Sequence, residues 1–363
     1  MENFDYFAFV GTYTAGNVVN ENLNSKGIYI LGYDSKTGKS EIINTAYEKD
    51  NPSFLALSPN GKYLYSVGEI DDKRGGALSA YEFNKKEGSL SIINSISTGS
   101  NGPCHLMTDL NGSILLAANY AGGASTLAII NNDGSLNEEV QVIQHTGSSV
   151  NPERQMEPHA HSINVSPSGN YALVPDLGTD KVIVYKIEHS EKKLIPNDPG
   201  FVKVSPGMGP RHLEFHPNNK VVYVINELGA TITIFDYDDT KGSLEEINTV
   251  STLPLDFNQK SCADIHISSD GKYLYGSNRG HDSLAIYEVS SDGREITNVG
   301  FQSTLGKTPR NFAIDPNGNY LLAANQDSSD IFTFKINKDN GKLESTGFKI
   351  DIPYPVCIKF LER

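Results

Sequence analysis

Five side chains stand at matched places in a long-period pattern and together have the chemistry of proton transfer beside an anion: His161, Arg211, Arg310, Glu227 and Arg279. Each of the first three directly follows the small residue or proline that opens a short apolar run, after Ala160, Pro210 and Pro309. Glu227 and Arg279 close the second run of the same pattern. An imidazole changes charge near neutral pH, a carboxylate can orient it or replace it as base, and a guanidinium fork binds planar anions through two parallel hydrogen bonds. Around these five, Arg154 and His159 lie in or beside the longest irregular stretch, residues 144–158, while His212 and Asn226 adjoin Arg211 and Glu227. Arg154, His159, His212, Asn226 and Arg310 are therefore expected to contact substrate, and His105 and His266 to be structural. The competing account is an ion pair of Arg211 and Arg279 with Glu227 between packed sheets, a common arrangement with no chemistry of its own.

Residues so far apart can meet only if the elements carrying them converge. About every fifty residues the chain repeats a Pro or small residue, alternating apolar positions, Pro-Asn-Gly or a relative, and a second apolar run ending in a polar pair. The copies begin at Pro52, Pro103, Ala160, Pro210, Cys262 and Pro309, and a seventh is split between the run from Pro355 and the run from Tyr6. Period-two alternation on both sides of Asn-Gly or Asp-Gly marks an antiparallel hairpin. Further strands are expected at residues 77–83, 124–130, 181–187, 231–237, 283–289 and 331–336, each followed by a turn and a short fourth strand. Four antiparallel strands repeated seven times read as an all-β, seven-bladed β-propeller whose terminal strands complete one blade and close the ring. Residues 1–363 are accordingly expected to form a single domain. In a hairpin the start of the first strand lies beside the end of the second, so the five residues should gather at one mouth of the central channel. Asn and Asp just before the hairpin ends (Asn119, Asp176, Asn278, Asn325) are read as backbone-bonding residues.

Composition narrows the partners. Thirty Lys and Arg against 44 Asp and Glu give a formal charge of −14, which offers no footprint for nucleic acid. An anionic small molecule would need a local basic cluster, which the arginines supply. Glu2 and Asp5 stand where a signal peptide would be basic, and no apolar run is long enough for a membrane span, so a cytoplasmic protein without membrane contact is expected. Three cysteines without CxxC spacing read as buried reduced thiols. His159 and His161 are two apart with Asp176 near, but no further ligand is marked, so no metal is expected, and no Gly-x-Ser-x-Gly elbow is present.

The segment Gly147-Ser-Ser-Val-Asn-Pro-Glu-Arg-Gln-Met-Glu-Pro-His-Ala-His-Ser162, with Phe9-Val-Gly-Thr-Tyr13, Lys26-Gly-Ile-Tyr29, Ala118-Asn-Tyr-Ala-Gly-Gly123, Gly209-Pro-Arg-His212 and Ser277-Asn-Arg279, resembles the propeller-type 6-phosphogluconolactonase family over essentially the whole chain. That family is similar in turn to the fungal carboxymuconate lactonising enzymes. The resemblance implies a lactonase needing neither metal nor cofactor, with a His, a Glu and two Arg in the site, roles that fall on His161, Glu227, Arg211 and Arg279. The implied substrate is a phosphorylated sugar lactone, most directly 6-phosphoglucono-δ-lactone of the pentose phosphate pathway, and the implied assembly a monomer or weak homo-oligomer. On this reading His161 takes a proton from the attacking water, Glu227 orients it, raising its proton affinity, or serves as base itself, and Arg211 or Arg279 stabilises the oxyanion. The remaining Arg, with Arg154 or Arg310, clamps the phosphate. A muconate-type cycloisomerase and a non-catalytic interaction propeller are the alternatives; the absence of Trp, and so of WD dipeptides, speaks against the latter.

Overall fold

The computed structural model describes residues 4–16, 24–48, 50–259 and 261–363. Its regular elements are 28 strands, arranged as seven four-stranded antiparallel sheets, a seven-bladed β-propeller. In six blades the chain runs consecutively from inner to outer strand. In the seventh the order is Pro355–Glu362, Tyr6–Thr12, Gly27–Asp34, Lys39–Tyr47, so the two ends of the chain pair along their length, from Tyr6 opposite Glu362 to Thr12 opposite Pro355.

Alternation places the apolar sets between blades. Phe7 and Phe9 of the closing blade meet the edge of Phe83 in the next, with ring centroids 5.0 and 4.8 Å apart. Apolar clusters of this kind span neighbouring blades around the ring. The outer strands, expected to be short, run to nine residues in Ser89–Ser97 and eleven in Lys193–Lys203. Their alternating exposed positions hide their length from an apolar-run criterion.

The inner hairpins turn differently from the two-residue type that Asn-Gly suggests. Only the last turn residue has positive φ, as at Gly61 (67°), Gly112 (67°) and Gly318 (64°), and Asn219 (60°) takes that place in the blade where the sequence has Asn-Asn. Glycine and asparagine are the residues that tolerate this conformation cheaply.

The feature that sets the site is a repeated β-bulge. Pro103 faces Asn119 while His105 faces Ala118; Pro210 faces Asn226 while His212 faces Ile225; Pro309 faces Asn325 while Asn311 faces Ala324. Cys104, Arg211 and Arg310 are thus the extra residues of three bulges. A bulge breaks alternation and re-aims a side chain, which lets Arg211 and its neighbour His212 both face the channel region.

Candidate active site

Glu227 is the hub of the predicted cluster. Its Oε2 accepts from Arg211 Nε at 3.1 Å and pairs with Arg279 Nη2 at 3.0 Å, while its Oε1 accepts from Arg154 Nη2 at 2.9 Å. Burial works against the ionised carboxyl, but Arg279, Arg211 and Arg154 overcome it and hold Glu227 far below the usual carboxylate range. Arg211 is 2 % exposed; burial and the repulsion of Arg310 and Arg279 push it down to about 10, so it stays charged at neutral pH. Its Nη1 donates to the Ala263 carbonyl at 2.7 Å and lies 3.3 Å from His212 Nε2.

Arg154 reaches Glu227 because the long loop is folded back over the ring. Gln155 donates to the carbonyls of Asn151 and Leu177, and Ser149 donates to Asp180 Oδ2. The loop passes so close to the adjacent blade that a Cβ on Gly178 would lie 1.9 Å from the Glu157 carbonyl oxygen. Arg154 Nη2 also donates to the Tyr120 hydroxyl at 2.9 Å, and His159 stacks on the Tyr120 ring at 4.5 Å.

His161 lies at the same mouth, with Nε2 3.9 Å from Glu227 Oε2, too far for a hydrogen bond, and Nδ1 3.7 Å from Cys104 Sγ. The upward shift expected from a neighbouring carboxylate is reversed. Burial, then Arg211, His212 and Arg310, hold His161 well below its ordinary value. The Arg310 side chain has no hydrogen bond or ion pair among the described residues; its guanidinium lies 5.4 Å from the Tyr13 ring centre.

Asn226 departs from expectation. Its amide turns into its own blade, donating to Thr231 and Thr233 at 3.0 and 2.9 Å, as Asn119 does to Ala124 and Thr126. The strand-end asparagines tie hairpins together, and the Asn226 amide nitrogen does so in its own blade. His212 is a bridge inside the channel: Nδ1 lies 2.8 Å from Asp264 Oδ1, and burial and Arg211 push the ring down to about 4. Asp264 also accepts from Asn311 Nδ2 and meets His266 Nε2 at 3.1 Å.

The structure adds residues that the sequence reading left out of the site. Glu69, Ser53 and Tyr13 wall a cavity of about 10 Å³ together with His161, Arg211 and Arg310, room for about one water molecule. The Tyr13 hydroxyl donates to Glu69 at 3.0 Å and Ser53 Oγ makes a short hydrogen bond to the same carboxylate. The signal was present in the repeats: Glu69 ends its hairpin where Glu227 ends its own, and Ser53 holds the place of Arg211. A larger cavity, about 340 Å³, lies further along the channel beneath Phe54, His105, Glu214, His266 and Lys359. Among the described residues no three His, Cys, Asp or Glu side chains are grouped to hold a metal ion, and no helix is long and apolar enough to cross a membrane.

Residues 7–360 match the family described as lactonase, 7-bladed beta-propeller. A Bacillus subtilis protein named 6-phosphogluconolactonase is 35 % identical over 99 % of both chains, and a Formosa agariphila protein of the same name is 34 % identical over 85 % of this chain and 86 % of its own. The structure of a Pseudomonas aeruginosa periplasmic gluconolactonase superposes with a TM-score of 0.90 at 32 % identity, covering 98 % of this chain and 99 % of that one.

Proposed function

The chain belongs to the family of seven-bladed β-propeller lactonases, and from that premise we propose that it opens the ring ester of a phosphorylated sugar δ-lactone, 6-phosphoglucono-δ-lactone first among them. The observation that carries the proposal is the charge at one mouth of an otherwise acidic protein. Four guanidiniums, of Arg154, Arg211, Arg279 and Arg310, stand around two carboxylates, of Glu227 and Glu69, and Arg310 and Arg279 repel the charge of the buried Arg211. A dianionic phosphate and a developing oxyanion would relieve that repulsion.

In this reading Arg211 and Arg279, fixed by Glu227, face the carbonyl oxygen as it becomes an oxyanion. Arg310, whose guanidinium lies over the Tyr13 ring and makes no hydrogen bond or ion pair among the described residues, takes the phosphate with Arg154, and His159 packs against the sugar. Two side chains of the small cavity can accept the proton of the attacking water, His161 and Glu69. No metal or cofactor enters these steps. Cytoplasmic placement suits a phosphorylated substrate and is part of the proposal.

The test is hydrolysis of freshly generated 6-phosphoglucono-δ-lactone, with chelator present, against its spontaneous rate, and of glucono-δ-lactone in parallel. The second substrate is included because the Pseudomonas relative is named for the unphosphorylated sugar. Turnover of the phosphorylated lactone with higher kcat/KM is the expected result. Acceleration of neither lactone would overturn the reading, and preference for the unphosphorylated one would remove the phosphate from it.

A further inference from the structure

Of the two carboxylates at the mouth, Glu227 is saturated by arginines and Glu69 is not. Among the described residues no cation pairs with Glu69 at salt-bridge distance. Its hydrogen bonds come from two hydroxyls, of Tyr13 and Ser53, one on each of two adjoining blades. Hydroxyls can give up a hydrogen bond to a carboxylate that takes on a proton far more readily than guanidiniums can release one. Glu69 also shares the walls of the water-sized cavity with His161 and Arg211. We infer that Glu69 is the proton acceptor of the hydrolysis, with Tyr13 and Ser53 holding it and His161 acting as a hydrogen-bond donor. This inference rests on the lactone-hydrolase reading above.

The electrostatics agree with the placement. Burial raises the proton affinity of Glu69, and Arg310, Ser53 and Tyr13 offset this only in part. The same surroundings lower that of His161. A carboxylate moved up toward the working pH beside an imidazole moved down is the division in which the acid residue does the proton transfer and the neutral ring polarises an oxygen.

The step balances on one residue. Water oxygen bonds to the lactone carbonyl carbon, the carbonyl π pair moves to the oxyanion facing Arg211 and Arg279, and the water proton passes to the Glu69 carboxylate. When the intermediate collapses, the bond from that carbon to the ring oxygen breaks and the ring oxygen takes the proton from Glu69. The carboxylate is restored, and the new carboxylic acid product releases one proton to solvent.

The experiment measures kcat and KM against pH for wild type, Glu69→Gln, His161→Gln and Tyr13→Phe on whichever lactone the wild type turns over, with folding followed by thermal melting. Wild-type turnover of neither lactone rejects the underlying reading; a turning-over wild type isolates the proposal. Glu69→Gln should lose ~10²–10³-fold in kcat with little change in KM, and the acid limb should vanish with it. His161→Gln should keep the acid limb. Tyr13→Phe, which removes one hydrogen bond from the carboxylate, should move the limb upward by ~0.5–1 pH unit. A Glu69→Gln enzyme within threefold of wild type overturns the assignment, as does an acid limb lost in His161→Gln. Should Glu69→Gln not fold, an acid limb unmoved in Tyr13→Phe does the same.

Discussion

Glu227 shows how one residue can serve both stability and chemistry. Three guanidiniums share its two oxygens, and they overcome the cost of its burial, so its carboxyl is far more acidic folded than unfolded. A group whose folded value is depressed stabilises the fold above its unfolded value and loses that contribution as pH falls. Glu227→Gln should therefore melt lower at neutral pH, by an amount typical of breaking a buried pair, ~3–5 kcal/mol. Its melting temperature should also fall less steeply than wild type below about pH 4.5; parallel acid slopes would show that the carboxylate is not the anchor. Arg310 asks a different question, since its side chain has no hydrogen bond or ion pair to lose among the described residues. Arg310→Ala should raise KM for the phosphorylated lactone by roughly tenfold or more, the scale of one charge-assisted hydrogen bond, and leave KM for the unphosphorylated lactone unchanged, while the loss of its charge beside Glu69 moves the acid limb upward on both; equal rises in KM on both would place Arg310 elsewhere in the reaction. His161, Arg211, Glu227, Arg279 and Arg310 were legible because the repeats align them at one mouth. What the sequence did not show was the state of His161, because its proton affinity is set by its burial and by the closeness of Arg211, His212 and Arg310, which only the closed ring brings about. Nor did it show the direction of the Asn226 amide nitrogen, which turns into its hairpin while its neighbour Glu227 pairs with the arginines of the mouth.

At the scale of elements, the decisive device is the bulge that makes Cys104, Arg211 and Arg310 extra residues in their inner strands. A period-two reading assigns alternate residues to opposite faces, so adjacency in sequence, and not the alternation that found the hairpins and the closing blade, put Arg211 and His212 at one site. The loop of residues 144–158 was recognisable by length alone, but its route depends on close backbone approach at Gly178. Gly178→Ala would force the Glu157 carbonyl away and should displace Arg154 from Glu227 and Tyr120. The expected outcome is a several-fold loss in kcat/KM with a melting temperature lowered by only a few degrees, since the blade beneath is untouched; wild-type kinetics would show that the loop is indifferent to its seat. Further down the channel, His266 ties the inner strand Cys262–Ile267 to Pro210–Phe215 through Glu214, and its own strand through Asp264. Burial opposes its charge, yet Asp264 and Glu214 raise it to about 10. A raised imidazole stabilises the fold fully below its ordinary value near 6.5 and loses that contribution as pH rises through about 10. Wild type should thus lose stability between those values, and His266→Gln should lose less across the same window.

For the whole molecule the question is whether the ring behaves as one body. Each blade buries its faces only against its neighbours, so an open ring would expose two flanks and two strand edges at once. Closure here depends on the Pro355–Glu362 strand, paired with Tyr6–Thr12 over its length, with Val356, Cys357 and Ile358 at 3 %, 0 % and 3 % exposure. Exposing three such side chains costs ~5–9 kcal/mol at the usual value for each, which is comparable with the entire stability of an ordinary domain. We propose that residues 1–363 unfold as a single cooperative domain and that deleting residues 354–363 abolishes its native melt instead of fraying one blade. Calorimetry distinguishes the outcomes. One transition in the full chain and none of native size in the truncated chain is expected; a truncated chain that keeps most of the unfolding enthalpy at a similar temperature would mean that the blades are stable by themselves. The same deletion bears on the site, because the inner strand it removes contributes Val356 to the wall of the cavity that holds Glu69 and Arg310. If catalysis depends on that wall, supplying the missing strand as a synthetic peptide should restore melting and turnover together, with the same dependence on peptide concentration. Recovery of the melt without turnover would separate ring closure from the geometry of the site.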